Sequence, residues 1–104
     1  PNLIFFAGYT NASWTLKSDL TSEYASRLIK VMDKKSYSSF VALKNGKKME
    51  TIPLLNLNSG YINRSSNIFP KQGSKLPWRL YQNYFFDYAM LRINKIEDKF
   101  LSFV

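Results

Sequence analysis

The first apolar run, Leu3-Ile4-Phe5-Phe6-Ala7, shows no alternation. A segment apolar on both faces suits a strand buried within a parallel sheet. Gly8 follows, where the missing side chain lets backbone or ligand approach closely. The small, mostly polar run Thr10-Asn11-Ala12-Ser13 comes next. Asn11 and Ser13 are competent helix N-caps, and Thr10 is a weaker one. Beyond them Leu20, Tyr24, Leu28, Val31 and Met32 recur on one helical stripe, flanked by Leu16 and by Arg27, whose stem can cover apolar surface. The spacing predicts a helix that begins between Asn11 and Thr15 and ends near Lys34, at the polar break Asp33-Lys34-Lys35-Ser36. Glu23 stands four residues before Arg27, a favourable order worth roughly 0.3 kcal/mol when exposed. Lys30 and Lys34 suit the negative end of the helix dipole. Gly8–Leu20 therefore reads as a strand end, a sharp turn and a helix start, a place where a cofactor can meet the backbone.

The second half alternates shorter signals. Tyr37–Leu43 and Lys48–Ile52 flank Asn45-Gly46, a strong hairpin signature, with Phe40, Ala42 and Met49 on the better buried face. Pro53 ends the second strand. Leu54–Ser59 reads as extended or looping, and a turn follows through Gly60. Tyr61–Phe69 has the loose period of a short helix, ended by Pro70. Pro70–Asn83 contains Gly73, Pro77, Lys71, Lys75, Arg79 and Trp78. It reads either as a surface loop whose tryptophan plugs a core, or as a loop that offers cations to a phosphate beside Trp78. Its glycine spacing matches no phosphate-loop pattern. Leu80–Ile93 reads as a helix with apolar groups around most of its circumference, buried or sandwiched at an interface. Asp87 within it suits a salt bridge or a tyrosine hydrogen bond better than an acid catalyst. Phe100–Val104 suggests a final strand. The fold class expected is α+β.

Composition removes several chemistries. The 104 residues include no cysteine and no histidine. Disulfides, Cys/His zinc sites, histidine acid–base chemistry and cysteine nucleophiles are therefore excluded. No apolar run approaches a membrane span, and the N-terminal run lacks the charged flank of a signal peptide. A cytoplasmic location is expected. The formal charge of +8 could attract a polyanion. The basic residues are dispersed, however, which favours a solvated surface or a basic face docked on an acidic partner over nucleic-acid binding. Eight Phe, seven Tyr and two Trp exceed what a small core needs and point to an interface or a ligand wall. The start at Pro1 and the apolar ending lead to the expectation of a piece of a longer chain.

Two blocks then acquire meaning together. Gly8-Tyr9-Thr10-Asn11-Ala12-Ser13-Trp14-Thr15-Leu16-Lys17 with Asp19-Leu20 is one. Phe69-Pro70-Lys71-Gln72-Gly73-Ser74 with Pro77-Trp78-Arg79 and Gln82-Asn83-Tyr84 is the other. Gly60-Tyr61, Arg64 and Met32-Asp33 fall in the expected places around them. In these features, over essentially its whole length, the chain resembles the C-terminal part of a bacterial flavin-containing monooxygenase. The branch is the class B group near the Baeyer–Villiger and ethionamide-activating enzymes.

The resemblance implies that residues 1–35 are the last strand and long helix of a Rossmann-like FAD-binding domain. Residues 36–104 would be a hairpin, loop and aromatic-helix region packing on it. It implies that the helix start faces the flavin's pyrimidine side, with Asn11, Ser13, Trp14, Thr15 and Leu16 as the cofactor-binding wall and main-chain N–H groups dominant. Trp78 and Arg79 are implied as cleft-supporting residues. No catalytic residue and no metal ligand is assigned. The implied chemistry uses FAD and NADPH to place one oxygen atom from O2 into a ketone, sulfide or amine, with the protein supplying position and electrostatics. No Gly-x-Gly-x-x-Gly is present, so neither dinucleotide site is complete and the segment alone should be inactive. The implied partners are the remainder of the monooxygenase, or a self-association partner, and a small organic substrate. The competing expectation is a small, basic, aromatic-rich domain that binds a protein or polyanion.

Overall fold

Helix α1 (Trp14–Lys35) is the longest element of the computed structural model, which describes residues 1–44, 49–54, 64, 68 and 70–104. Its bounds fall where the apolar stripe and the polar break place them. Leu20 and Leu28 are each only 1% exposed, and Tyr24, Val31 and Met32 are half-buried beside them. The stripe thus faces the interior, while Leu16 at its margin remains exposed. Ser36 ends the helix in the left-handed region (φ 56°, ψ 36°). Its N–H donates to Asp33 O at 3.3 Å, and the Tyr37 N–H donates to Met32 O at 2.9 Å. This is a Schellman-type closure made without the usual glycine.

The chain divides into two compact units, Pro1–Gly46 with Tyr81–Val104, and Lys47–Leu80. In the first unit, β1 (Phe40–Ala42) pairs antiparallel with β4 (Leu101–Phe103), in the register Phe40↔Phe103, Val41↔Ser102 and Ala42↔Leu101. Main-chain bonds extend this ladder at both ends: Leu43 N–H to Phe100 O at 2.7 Å and Val104 N–H to Ser39 O at 3.0 Å. The Tyr37 and Phe103 rings stack with centroids 5.1 Å apart. The final strand expected at the C-terminus is therefore present as β4.

Three sequence expectations change here. Among the described residues the hairpin expected between 37–43 and 48–52 is not formed: β1 takes β4 as its partner, and β2 (Thr51–Pro53) takes β3 (Lys71–Gly73). A turn signal fixes only a local bend, whereas the pairing β1 adopts also provides the Tyr37–Phe103 stack. Asn45-Gly46 itself lies outside the described residues. Second, Leu3–Ala7 is no strand. A strand requires a ladder partner, and the described residues offer this run none. Leu3 is 82% exposed and Phe5 67%. Third, Glu23 pairs with Arg92 Nε at 3.1 Å, because the Arg27 guanidinium is engaged elsewhere.

The predicted helix over 80–93 is shorter and mixed. Helix α2 (Tyr84–Tyr88) continues directly into a π-helical turn, Ala89–Ile93. Asn83 caps α2 by accepting the Phe86 N–H at 3.1 Å. Arg27 from α1 closes the other end. Its Nη1 donates to Leu91 O at 2.9 Å and Arg92 O at 2.8 Å, and its Nη2 donates to Asn94 O at 2.8 Å. A planar fork of donors is suited to several carbonyls released at a helix terminus.

In the second unit β2 and β3 pair antiparallel, with Thr51↔Gly73, Ile52↔Gln72 and Pro53↔Lys71. The Gln72 side chain donates to Pro53 O at 3.0 Å and accepts the Leu80 N–H at 2.7 Å. A tight turn follows β3: Trp78 N–H donates to Lys75 O at 3.0 Å and Gly73 N–H to Trp78 O at 2.9 Å. Part of the expected Pro70–Asn83 loop is thus a strand. The helix expected over 61–69, apart from Arg64 and Ile68, and most of the segment before it lie outside the described residues. Among the described residues no helix is long and apolar enough to cross a membrane.

Candidate functional site

The Gly8–Leu20 block and the Gln82-Asn83-Tyr84 end of the second block meet in the first unit. The Thr10 N–H donates to Gln82 Oε1 at 2.9 Å, and the Asn11 side-chain amide reaches Gln82 O at 3.4 Å. Gln82 has φ 54°, in the left-handed region that non-glycine residues rarely occupy. This conformation presents its side chain to Thr10 just before Asn83 begins α2. Gly8 is buried. A Cβ there would overlap the Trp14 indole, so the turn requires glycine for this close approach.

Beneath the turn lies a buried polar cluster. Lys17 Nζ stands 2.8 Å from Asp87 Oδ2, and the Tyr9 hydroxyl donates to the same oxygen at 2.5 Å. The ammonium also lies 5.4 Å from the centroid of the Tyr9 ring. Lys17 is 7% exposed and Asp87 5%. Burial, and then the hydrogen bond to the Asp87 carboxylate, push the Tyr9 phenol well above its usual range, so it remains a proton donor. The cluster joins the turn, α1 and α2, and realises both bonds expected of Asp87: a salt bridge and a tyrosine hydrogen bond. Tyr9 and Lys17 had no role of their own in the sequence reading. A signal existed for Lys17, which stands three residues before Leu20 on the buried stripe.

The wall residues lie above the cluster. Asn11, Ser13, Trp14, Thr15 and Leu16 are all exposed around the start of α1. Ser13 occupies the N-cap position without a side-chain capping bond, and its Oγ sits 2.8 Å from Thr15 Oγ1. The first turn contains no acidic residue. The positive end of a 22-residue helix therefore lacks a carboxylate in its own first turn. Trp78 and Arg79 belong to the other unit. There Trp78 is half-buried beside Gly73 and Met49, where a Cβ on Gly73 would approach both Met49 Sδ and Trp78 Cβ to 2.7 Å. Arg79 is exposed. A groove of about 550 Å³ lies along the later turns of α1, lined by Arg27, Lys30, Val31, Lys95, Ile96 and Glu97. It is shallow and remote in sequence from the helix start, and none of the expected wall residues lines it.

Known proteins align with almost the entire chain. It is 46% identical over 103 residues to the FAD-containing monooxygenase EthA of Mycobacterium tuberculosis. It is 39% identical over 104 residues to a probable FAD-binding monooxygenase, AlmA, of Acinetobacter baylyi. It is 42% identical over 106 residues to a putative FAD-containing monooxygenase, MymA, of Mycobacterium tuberculosis. The chain is homologous to a segment of the FAD-containing monooxygenases. The alignments cover 99% of the chain but only 21% of each relative, so it spans about one fifth of their length. No family model matches the chain, and no solved structure matches it.

Because these relatives are named as FAD-containing, the donor set at the start of α1 can be compared with what a flavin requires. The flavin's pyrimidine edge carries acceptors that gain negative charge on reduction. The start of α1 offers main-chain N–H groups, exposed hydroxyls and amides, and no competing carboxylate in the first turn. Lys17 is engaged by Asp87 and so offers no free cation to the cofactor. These residues fit the edge of a flavin. A dinucleotide's pyrophosphate would need a glycine-rich loop that the sequence does not contain.

Proposed function

We propose that this chain is the C-terminal segment of a bacterial FAD- and NADPH-dependent monooxygenase, supplying the flavin-facing helix start. In this reading residues 1–35 close a Rossmann-like FAD domain, and Leu3–Ala7 becomes a strand when the remaining strands are beside it. Residues 36–104 pack against that domain. Asn11, Ser13, Trp14, Thr15 and Leu16 form the wall, and Trp78 and Arg79 support the cleft. The observation that carries the reading is the alignment of 99% of the chain with FAD-containing monooxygenases. The uncapped start of α1, free of acids in its first turn, supports it.

When bound, FAD reduced by NADPH supplies the oxygen-transfer chemistry, delivering one atom of O2 to a ketone, sulfide or amine. The chain's own part is narrower. First-turn N–H groups stabilise negative charge at the flavin edge, Trp14 shields it from water, and Gly8 keeps the turn close to the indole. The 104 residues alone are inactive, because the pyrophosphate-binding loops lie elsewhere in the enzyme.

The test is the full-length polypeptide that contains this segment. Purified, it should contain FAD and consume O2 in an NADPH-dependent manner, faster with a ketone, sulfide or amine present. The isolated segment should be colourless and inactive. A full-length product that neither retains added FAD nor oxidises NADPH would sink the reading. Salt-dependent capture of DNA or RNA by that colourless protein would favour the polyanion-binding alternative.

A further inference from the structure

The start of α1 has no side-chain cap, so something else must hold it in place. The wall residues are all exposed, Ser13 makes no capping bond, and their ties are the long Asn11–Gln82 bond at 3.4 Å and the packing of Trp14 on Gly8. The buried groups converge from three directions. Tyr9 comes from the turn, Lys17 from the end of the first helical turn, and Asp87 from α2, with both donors on one Asp87 oxygen at 2.5 and 2.8 Å. Asp87 is itself held: its N–H donates to Asn83 O at 3.0 Å, while Asn83 caps α2. Gln82, immediately before Asn83, binds Thr10. The turn is thus tied to α2 at two points, one buried and one exposed.

A buried pair of charges is a poor source of net stability, because desolvation offsets most of the attraction. Its geometry, however, is directional. Removing Tyr9 or Asp87 frees the turn from α2 on its buried side, and removing Lys17 or Asp87 frees the first helical turn of α1 from it. We propose that the Tyr9–Lys17–Asp87 cluster is a positioning device that fixes the direction of the first-turn N–H groups of α1 and, through them, the reduction potential of the flavin. This rests on the reading that the start of α1 faces FAD. The three residues are buried, and in this proposal they act through the backbone they hold.

The experiment has two arms, both in the full-length polypeptide, with Tyr9→Phe, Lys17→Met and Asp87→Asn. Lys35→Met serves as a control, because it breaks an exposed ion pair with Glu97 elsewhere. The first arm is amide hydrogen exchange without FAD. The amides of Ser18, Asp19 and Leu20 bond the carbonyls of Trp14, Thr15 and Leu16, so they report order in the first turn. Exchange there should accelerate about tenfold in Tyr9→Phe, the scale of one lost bond to a charged group, and stay unchanged in Lys35→Met. The second arm is the flavin midpoint potential. It should fall in all three cluster variants, because misdirected N–H groups stabilise the reduced, anionic flavin less.

The signs separate positioning from a direct field effect. If the charges acted through space, Lys17→Met would lower the potential and Asp87→Asn would raise it. Opposite shifts would therefore overturn the proposal, as would an unchanged potential in variants that fold. Tyr9→Phe keeps the test available if an unpaired charge unfolds the other variants. Unchanged exchange in Tyr9→Phe overturns the positioning claim alone. A parent that binds no FAD overturns the link to the flavin together with the functional reading, whatever the exchange shows.

Discussion

Lys17 lies on the same face of α1 as Leu20, Tyr24 and Leu28, the one charge on a stripe otherwise apolar. It is buried because Asp87 meets it, and Asp87 is buried because Tyr9 and Lys17 share its oxygen. Removing one partner leaves the other charge unpaired in the interior. Lys17→Met or Asp87→Asn should cost roughly 3–5 kcal/mol, while Tyr9→Phe, which leaves the ion pair intact, should cost about 1.5 kcal/mol. Urea denaturation of each variant checks this. Tyr9 also sets a pH dependence. Its pKa is raised above the usual 10.0, first by burial and then by Asp87, and that of Tyr24 is raised as well, chiefly by burial. A raised folded pKa gives stability that is complete below the unfolded value and is lost as pH rises through the folded one. Stability should therefore hold up to about pH 10 and decline above it as unfolded tyrosines ionise first. Tyr9→Phe should flatten that decline, as chemical denaturation between pH 9 and about 11 would show.

The ends of the helices carry most of the consequences at the next scale. Ser36 closes α1 at φ 56°, a conformation that costs an L-residue energy and glycine almost none. Ser36→Gly should raise stability by about 0.5–1 kcal/mol, read as a higher melting temperature. Arg27 donates to three carbonyls at the end of the π-helical turn. A lysine has the charge but not the fork, so Arg27→Lys should cost about 1–3 kcal/mol and loosen Leu91–Asn94 in hydrogen exchange. In the second unit, Gly73 lacks room for any side chain beside Met49 and Trp78. Gly73→Ala should cost about 1–3 kcal/mol through overpacking, checked by thermal melting.

For the molecule as a whole, the decisive feature is apolar surface left uncovered. Leu3, Phe5, Phe85 and Ile93 are each more than 65% exposed. Such groups are costly to leave in water together and are normally met by another surface. The 104-residue segment prepared alone should therefore self-associate, and charged substitutions at Leu3 and Phe5 should reduce that association. Analytical ultracentrifugation at several concentrations checks both. A strictly monomeric segment would contradict the need for a partner. The exposed ion pairs Lys35–Glu97 and Glu23–Arg92 contribute little to this balance, since solvent and salt screen them.

Local pattern alone determined the elements whose causes are local. The stripe from Leu20 to Met32 and the polar break at Asp33–Ser36 set α1, because a 3.6-residue period needs only an apolar surface to face. The two motif blocks identified the monooxygenase relationship, because they are linear. Strand pairing was decided only in three dimensions. Asn45-Gly46 promised a hairpin, yet β1 joined β4, since a turn preference of local origin competes with ladder bonds and aromatic stacking from residues at the far end of the sequence, Leu101–Phe103. Leu3–Ala7 has the composition of a strand and, among the described residues, no ladder to join, so pattern could not make it one. The Tyr9–Lys17–Asp87 cluster likewise depends on tertiary structure: each residue is visible in the sequence, but burial of a charge is stable only with its partner, and the fold alone brings positions 17 and 87 together.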